Sequence, residues 1–421
     1  MGSEEAGLNA NAPRHHVAYT MSRFPKVTET FVLYELLEME RAGLEISVFP
    51  LLRQRGGVRH PEVDRIADRV HHRGLVAPTV LWANLATAVR HPIRYVQALA
   101  LGISSVWRSR RFLLGAIAFF PKAVWIARSM QRAGVDHVHA HFASHAAWAA
   151  MVGNRLTGIP YSFTAHGSDI HVDQTGFAAK AARAAFVVTV SQYNRQFLSE
   201  RCGVAATERM HIVHCGVDVD EFTPATPPVT GPLRILCVAS LRKVKGHRFL
   251  IAACELLRQR GVEFRCDLVG DGPTRPEVER LLADAGLTDS FAMHGSLARP
   301  AVRELLRSSH VAVLASVIDE AGRREGIPVS LMEAMATGLP VVASDLSGIP
   351  ELIAHEQHGL LVPPGAPVDL ADALQRLGSD AALRSRLGAA GRLRVMRDFD
   401  LRENARTLAN LVRSSLAIPM S

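Results

Sequence analysis

The sequence predicts an α/β protein made of two doubly wound, Rossmann-like domains that face each other across a cleft. Three observations predict it. Short apolar runs alternate with longer stretches of helical periodicity along most of the chain, the pattern of parallel strands joined by crossover helices. The alternation breaks once, at FTPATPPVTGP (222–232), where four prolines and a glycine fall within eleven residues, and then restarts. The length, 421 residues, also exceeds what one core sustains at about 150 residues per domain.

Taken in order, MGSEEAGLNANAPRHH lacks the basic and apolar regions of a signal peptide, and 1–13 reads as a disordered tail. HHVAYTM (15–21) is a strand and SRFPKV a loop. In TETFVLYELLEMERAGLEISVF, residues Phe31, Leu33, Tyr34, Leu37 and Met39 recur at helical spacing, Gly43 ends the helix and ISVF starts the next strand. Thr28 is placed as the N-cap of that helix. Ser22, Arg23 and Lys26 lie just ahead of it at the end of the first strand, a position that suits an acceptor phosphate. HVHAHF, IPYSFTAHG and FVVTVS are further strands, each followed by helical sequence. Past the break come the strands RILCVAS, EFRCDLVG, VAVLAS and PVVAS, with the helices HRFLIAACELLRQRG, RPEVERLLADAG and PVSLMEAMATG between them. The domains are therefore placed at 14–225 and 226–396, with a terminal helix over 397–421. Ligands of such sheets sit beyond the carboxyl ends of the strands, here in the cleft between domains.

Composition narrows the partners. Hydrophobic residues make up 48% and charged residues 21%, ordinary for a soluble globular protein. The formal charge of +8 favours anionic partners: nucleotide phosphates, anionic lipids or nucleic acid. No nucleic-acid recognition motif accompanies it, so nucleic acid is not expected as a partner. Five cysteines without a C-x-x-C pair read as reduced thiols, which suits a cytoplasmic protein. One insert stands out. From Leu75 to Val135 there is no Asp or Glu, while Arg90, Arg94, Arg108, Arg110, Arg111, Lys122, Arg128 and Arg132 share the stretch with Trp82, Trp107 and Trp125. Its apolar run FLLGAIAFF is interrupted by Pro121 and Lys122, short of the roughly 20 residues that span a bilayer. Basic, Trp-bearing amphipathic helices suit an anionic membrane surface, here the inner face. The competing reading is a set of ordinary helices packed on the first domain with arginines in solvent.

The most informative segment is EGIPVSLMEAMATGLPVVAS (325–344). Pro328 suits a first helical position, where its missing N–H costs nothing. The amides of Val329, Ser330 and Leu331 then point out of the helix start and favour phosphate. Glu325 precedes that tip, with Gly326 and Ile327 between, and Glu333 lies about 7–8 Å along the helix from Pro328. A sugar–diphosphate–nucleoside laid across the tip would meet the amides with its diphosphate, and one carboxylate at each end with its hydroxyls. Alone, the spacing is equally that of two solvated glutamates.

This segment resembles the E-x7-E signature of the retaining glycosyltransferases of family 4, which have the two-domain GT-B fold. The resemblance extends to ASLRKVKGH (239–247), LVGDGPTRPEVERL (268–281), SDLSGIPELI (344–353) and HGLLVPPGAPVDLADAL (358–374). It also covers HAHFASHAA, FTAHGSDI, VSQYNRQFL and HCGVDVDEF in the first half. SRFPKVTETFVLYEL is similar to a polysaccharide-assembly subset of the family. The likeness implies that Glu325 contacts the transferred sugar, Glu333 the ribose, Lys245 the diphosphate, and that His166 lies near the donor sugar. Gly270 belongs to the matching V-G-x-G-P segment on the donor side. It further implies that the helix after Arg397 crosses back to the first domain. Two departures matter: Ser240 stands where the family often has arginine, for which Arg242 is the candidate substitute, and Ser347-Gly348 replaces Gly-Gly.

Breaking the bond from an anomeric carbon to phosphate puts negative charge on the leaving diphosphate, so fixed positive charge there lowers the barrier. Lys245, Arg242 and the helix amides are the candidates. A double displacement would need a carboxylate beside the anomeric carbon; none is obvious, though Asp169, placed on the acceptor side, is a possible one, and the resemblance argues instead for same-face attack. His137, His139, His141 and His145 crowd DHVHAHFASH. No carboxylate or cysteine completes a metal set, so no metal and no cofactor is expected. His141 is placed at the strand end near the acceptor. The expected partners are a nucleotide diphosphate sugar as donor and a saccharide or lipid-linked acceptor. Two other classes compete: a non-catalytic nucleotide-sugar scaffold or sensor, told apart by donor turnover, and a dinucleotide oxidoreductase, disfavoured because Gly270-Asp271-Gly272-Pro273 lacks the third glycine of G-x-G-x-x-G.

Overall fold

A computed structural model describes residues 14–26, 29–54, 61–224 and 231–417. The expected tail over 1–13, the N-cap Thr28 and the middle of the Pro-rich linker lie outside the described residues.

Two six-stranded parallel sheets organise the chain. The first contains β1 (His16–Phe24), β2 (Glu45–Arg53), β3 (His137–His141), β4 (Tyr161–Ala165), β5 (Phe186–Thr189) and β6 (Met210–Ile212), in the order β2-β1-β3-β4-β5-β6. The second contains β7 (Leu233–Val238), β8 (Phe264–Val269), β9 (Phe291–Gly295), β10 (Val311–Leu314), β11 (Val341–Ser344) and β12 (Leu360–Val362), in the order β12-β11-β10-β7-β8-β9. Their central strands read as near-continuous apolar runs because helices cover both faces. The order reverses between β1 and β3 and again between β7 and β10, so each sheet has a crevice beyond the carboxyl ends of its strands.

Several elements differ from the expectation. Ser22 and Arg23 are strand, not loop: β1 runs on through them, and Arg23 and Phe24 pair with Leu52 and Arg53 of β2. The first helix, α1 (Thr30–Arg41), has Glu29 in its N-cap position and no side-chain cap bond. Strands β6, β9 and β12 were not legible as strands. Two have three residues, and β9 is partly exposed along its length at the sheet edge.

The insert forms α2 (Pro78–Arg90), α3 (Pro92–Ser104) and α4 (Arg110–Arg132). Here the structure corrects the expectation that Pro121 and Lys122 interrupt the apolar run. α4 continues through both for 23 residues and is long and apolar enough, by length and composition, to cross a membrane. Lys122 is fully buried, donates to the carbonyl of Arg73 and lies 4.6 Å over the Trp125 ring. Burial lowers its pKa to about 8. One face of α4, including Phe112, Ala116, Phe120, Ala123 and Ala127, joins the core that also takes in α5 (His145–Thr157).

The terminal helix Leu401–Ala417 lies against the first sheet's helices. Its Ala405, Leu408, Ala409 and Val412 share a core with Val17, Leu33, Leu36 and Val188.

Candidate active site

The strand ends of both sheets open onto one cleft of about 550 Å³, within the usual range for a small-molecule site. Its second-domain wall comes from the loops after β7, β8, β9 and β10. Gly270 follows β8 with φ +136°, and a Cβ there would lie 2.0 Å from the carbonyl oxygen of Ala239. Only glycine allows the β7 and β8 loops to touch in this way. Arg242 and Lys245 both line the cleft from the β7 loop. Lys245 Nζ sits 2.7 Å from Glu325 Oε1, with both side chains largely shielded. Gly326 marks a close approach of the halves: a Cβ on it would be 2.8 Å from the carbonyl oxygen of His166. Ile327 is buried behind it.

Pro328 occupies the N-cap position rather than the first helical one, and the helix is Val329–Ala336. Its carbonyl accepts the Leu331 N–H at 3.1 Å. Leu331 is therefore not a free donor, which corrects the expectation of three open amides. Among the described residues the Val329 and Ser330 amides have no acceptor, and both residues line the cleft. Glu333 lies one turn further on, largely shielded at the cleft wall, and desolvation raises its carboxyl pKa to about 7, with Arg299 opposing and Glu221 adding to the rise.

Arg299 was not singled out in the sequence. It is 7% exposed and lines the cleft. Its Nε is 3.9 Å from Glu333 and its Nη1 2.6 Å from Glu221. The guanidinium stacks 3.9 Å over the Tyr34 ring of α1. Burial works against its charge, but Glu333, Tyr34 and Glu221 outweigh that and hold it protonated. One side chain thus ties the first-domain helix to the candidate ribose carboxylate. No motif carries this signal; RPAVRELL reads as an ordinary helix start.

The first-domain wall centres on His166, just beyond β4. Its ring lies 4.9 Å from Phe31 and 4.7 Å from Phe142. Its Nε2 is 3.0 Å from His141 Nδ1, and His141 Nε2 is 3.0 Å from Glu35 Oε1. Burial, and then His141, hold the His166 pKa well below the usual histidine value. His141 therefore stands behind His166 rather than lining the cleft.

Two acceptor-side expectations are corrected here. Asp169 accepts backbone N–H bonds from Ala143, His166 and Gly167 at 2.7, 3.1 and 2.8 Å. It clasps the loops after β3 and β4, with its carboxylate spent on amides. Ser22 and Arg23 are exposed on β1 and do not line the cleft, whereas Lys26 and Glu29, which pair with each other, do.

The expectation that no carboxylate joins the histidines is also corrected. Glu35, His139 and His141 bring ligand-type atoms within 4.8 Å of one another. Both ring nitrogens of His139, however, are bonded to hydroxyls, Ser162 at 2.8 Å and Thr164 at 2.9 Å. With those lone pairs and protons committed, the cluster is arranged as a hydrogen-bonded chain rather than a ligand set.

Family comparison decides the class. Residues 28–221 match the model of Glycosyltransferase Family 4, and residues 232–380 that of Glycosyl transferases group 1. The chain belongs to glycosyltransferase family 4. It is similar to the amylovoran biosynthesis glycosyltransferase AmsK of Erwinia amylovora, 28% identical over 94% of this chain and 98% of AmsK. The putative colanic acid biosynthesis glycosyltransferase WcaL of Salmonella typhimurium is 29% identical over 94% of this chain and 99% of WcaL. Among solved structures, Anabaena HepE in complex with UDP-glucose superposes with a TM-score of 0.72 at 17% identity, over 94% of this chain and 99% of that one. The two-sheet architecture is thus the GT-B fold, and this family 4 enzyme is a hexosyltransferase.

Proposed function

We propose that this enzyme moves a hexose, with retention of anomeric configuration, from a nucleotide diphosphate sugar to a saccharide or lipid-linked acceptor in cell-surface polysaccharide assembly. The observation that carries the proposal is the Lys245–Glu325 contact of 2.7 Å beside the open Val329 and Ser330 amides. The contact stores a cation and a carboxylate where a diphosphate and a hexose would meet. Arrival of the diphosphate draws Lys245 toward phosphate oxygens and releases Glu325 to accept hexose hydroxyls. The helix start supplies the remaining positive potential. Glu333, further along, takes the ribose diol.

The chemical step follows from what surrounds the anomeric carbon. The bond to the diphosphate oxygen breaks, with its electrons going to the diphosphate. The acceptor oxygen then bonds to the same face, and its proton passes to a leaving phosphate oxygen. Asp169 is not free to act as a nucleophile, since its oxygens hold three amides. Lys245, Arg242 and the amides supply charge neutralisation, so the proposal needs no metal and no cofactor. Relatives named for amylovoran and colanic acid biosynthesis support the acceptor class, and the UDP-glucose complex of HepE supports the donor class.

The lipid-linked acceptor rests on a second feature. Most exposed large apolar side chains among the described residues lie between Val76 and Ile117, including Trp82 at 63%, Ile93 at 72% and Trp107 at 62% exposure. The exposed arginines Arg90, Arg94, Arg108, Arg110 and Arg111 lie among them. An apolar patch rimmed by cations fits an anionic bilayer surface, which would place the enzyme peripherally on the inner face. In flotation assays the enzyme should rise with phosphatidylglycerol vesicles and far less with phosphatidylcholine vesicles, and a Trp82→Ser, Ile93→Ser, Trp107→Ser variant should stay down. Equal recovery of wild type and variant would remove the membrane from the proposal. The transfer itself is tested by product analysis with a hexosyl donor and an extracted lipid-linked oligosaccharide: an inverted anomer would refute retention.

A further inference from the structure

Glu35, Tyr19 and His141 touch neither donor nor acceptor in the scheme above, yet they form an unbroken line to His166. Burial, and then Glu35, keep the Tyr19 phenol protonated, and its O–H donates to Glu35 Oε1 at 3.1 Å. The same oxygen lies 3.0 Å from His141 Nε2. A carboxylate oxygen only accepts, so His141 carries its proton on Nε2. With that one N–H on the ring, His141 Nδ1 is an acceptor for His166 Nε2–H, 3.0 Å away. His166 Nδ1 is then bare. It can accept the long, weak hydrogen bond of the Cys215 S–H at 3.9 Å, a thiol that burial pushes up to about 12, and a hexose hydroxyl would be the stronger donor. His166 and Cys215 line the cleft.

We infer that Glu35 is a positioning residue that acts through His141 to hold His166 as its Nε2–H tautomer, so that Nδ1 offers the cleft a hydrogen-bond acceptor. Resting on the proposed donor site, this assigns His166 the task of accepting from a hexose hydroxyl rather than donating to one. The chain spans four parts of the fold: β1, α1, the end of β3 and the turn after β4. Their packing, not any local motif, sets the tautomer.

The test is NMR of the protein labelled with ¹⁵N at histidine, in which the nitrogen shifts separate protonated from bare ring nitrogens and the His166 signals are those lost in His166→Gln. The inference expects wild-type His166 with Nε2 protonated. Glu35→Gln can set its amide carbonyl where Oε1 accepts both protons, so it should keep both tautomers, whereas Glu35→Leu removes the acceptor and should let both rings reverse. In Glu35→Leu kcat/KM for the nucleotide-sugar should fall about tenfold, the worth of one hydrogen bond, with affinity for the free nucleoside diphosphate unchanged. A wild-type His166 protonated on Nδ1 overturns the inference without any variant. So does a Glu35→Leu protein whose tautomer is unchanged, even if it is slower. Reversed tautomers with unchanged kcat/KM overturn the hexose contact. Failure of the wild type to bind any nucleotide-sugar would instead strike the proposed function, leaving the tautomer result to stand alone.

Discussion

The two walls of the cleft are built by different means. On the second-domain side, Arg242 and Lys245 share one short loop, and Glu325 and Glu333 flank one helix start. A strand end and a helix start suffice to aim them. On the first-domain side, His141 and His166 are 25 residues apart, and Glu35 is 106 residues from His141. Only the sheet order β2-β1-β3-β4 brings them together. Local chain geometry makes the donor wall, and tertiary packing makes the other. The first can be altered residue by residue, while the second is expected to respond as a network.

The largest effect should come from the donor wall. Lys245→Ala and Glu325→Ala should each lower kcat by about 100-fold or more, because both act where charge and hydroxyl contacts develop in the transition state. Steady-state assays check this, and near-wild-type turnover in either would remove that residue from the site. Next is the residue that joins the walls. Arg299→Ala leaves the largely shielded Glu333 without its cation, while Glu221 keeps Arg303 at 3.2 Å, and urea unfolding should show a loss of about 2 kcal/mol. Arg299→Lys should restore only part of it, since an ammonium does not reproduce the planar stack on Tyr34.

A third effect depends on pH. The fold raises the Glu333 pKa from 4.5 to about 7 by burial. The folded protein therefore holds a proton that the unfolded chain has released, and this residue's contribution to stability falls as pH rises from about 4.5 through about 7. The ionised carboxylate is the form that accepts two ribose hydroxyls, so donor affinity should rise by about tenfold over the same rise through pH 7. Glu333→Gln should flatten both curves in parallel titrations; a curve that keeps its slope would assign the proton elsewhere. The smallest catalytic effect is expected at Asp169. Asp169→Asn should lower the melting temperature while the folded fraction keeps its kcat, the reverse of what a nucleophile would show.

The contrast between the walls also accounts for what the sequence disclosed. The central strands, the helix following Pro328 and the positions of Lys245, Glu325 and Glu333 were legible because each depends on neighbours within a few residues. Arg299 was not, because its partners Tyr34, Glu221 and Glu333 come from three distant segments. Asp169 was misread for a related reason. A carboxylate after a strand in a His-Gly-Ser-Asp turn suits either chemistry or loop clasping, and only the approach of the Ala143 amide decides between them. Pro121 misled in the other direction. A proline in an apolar run predicts a break, but here α4 continues through it, and Asn84 of α2 donates to the Pro121 carbonyl at 2.9 Å.

The central claim is that the cleft binds a nucleotide-sugar between Lys245, the Val329–Ser330 amides and Glu333. It is tested most directly by calorimetric titration with UDP-, GDP- and ADP-hexoses, with and without magnesium, on the wild type and Glu333→Ala. We expect one donor to bind the wild type without need of magnesium and to bind Glu333→Ala more weakly. No binding by any donor, or equal binding to both proteins, would contradict it.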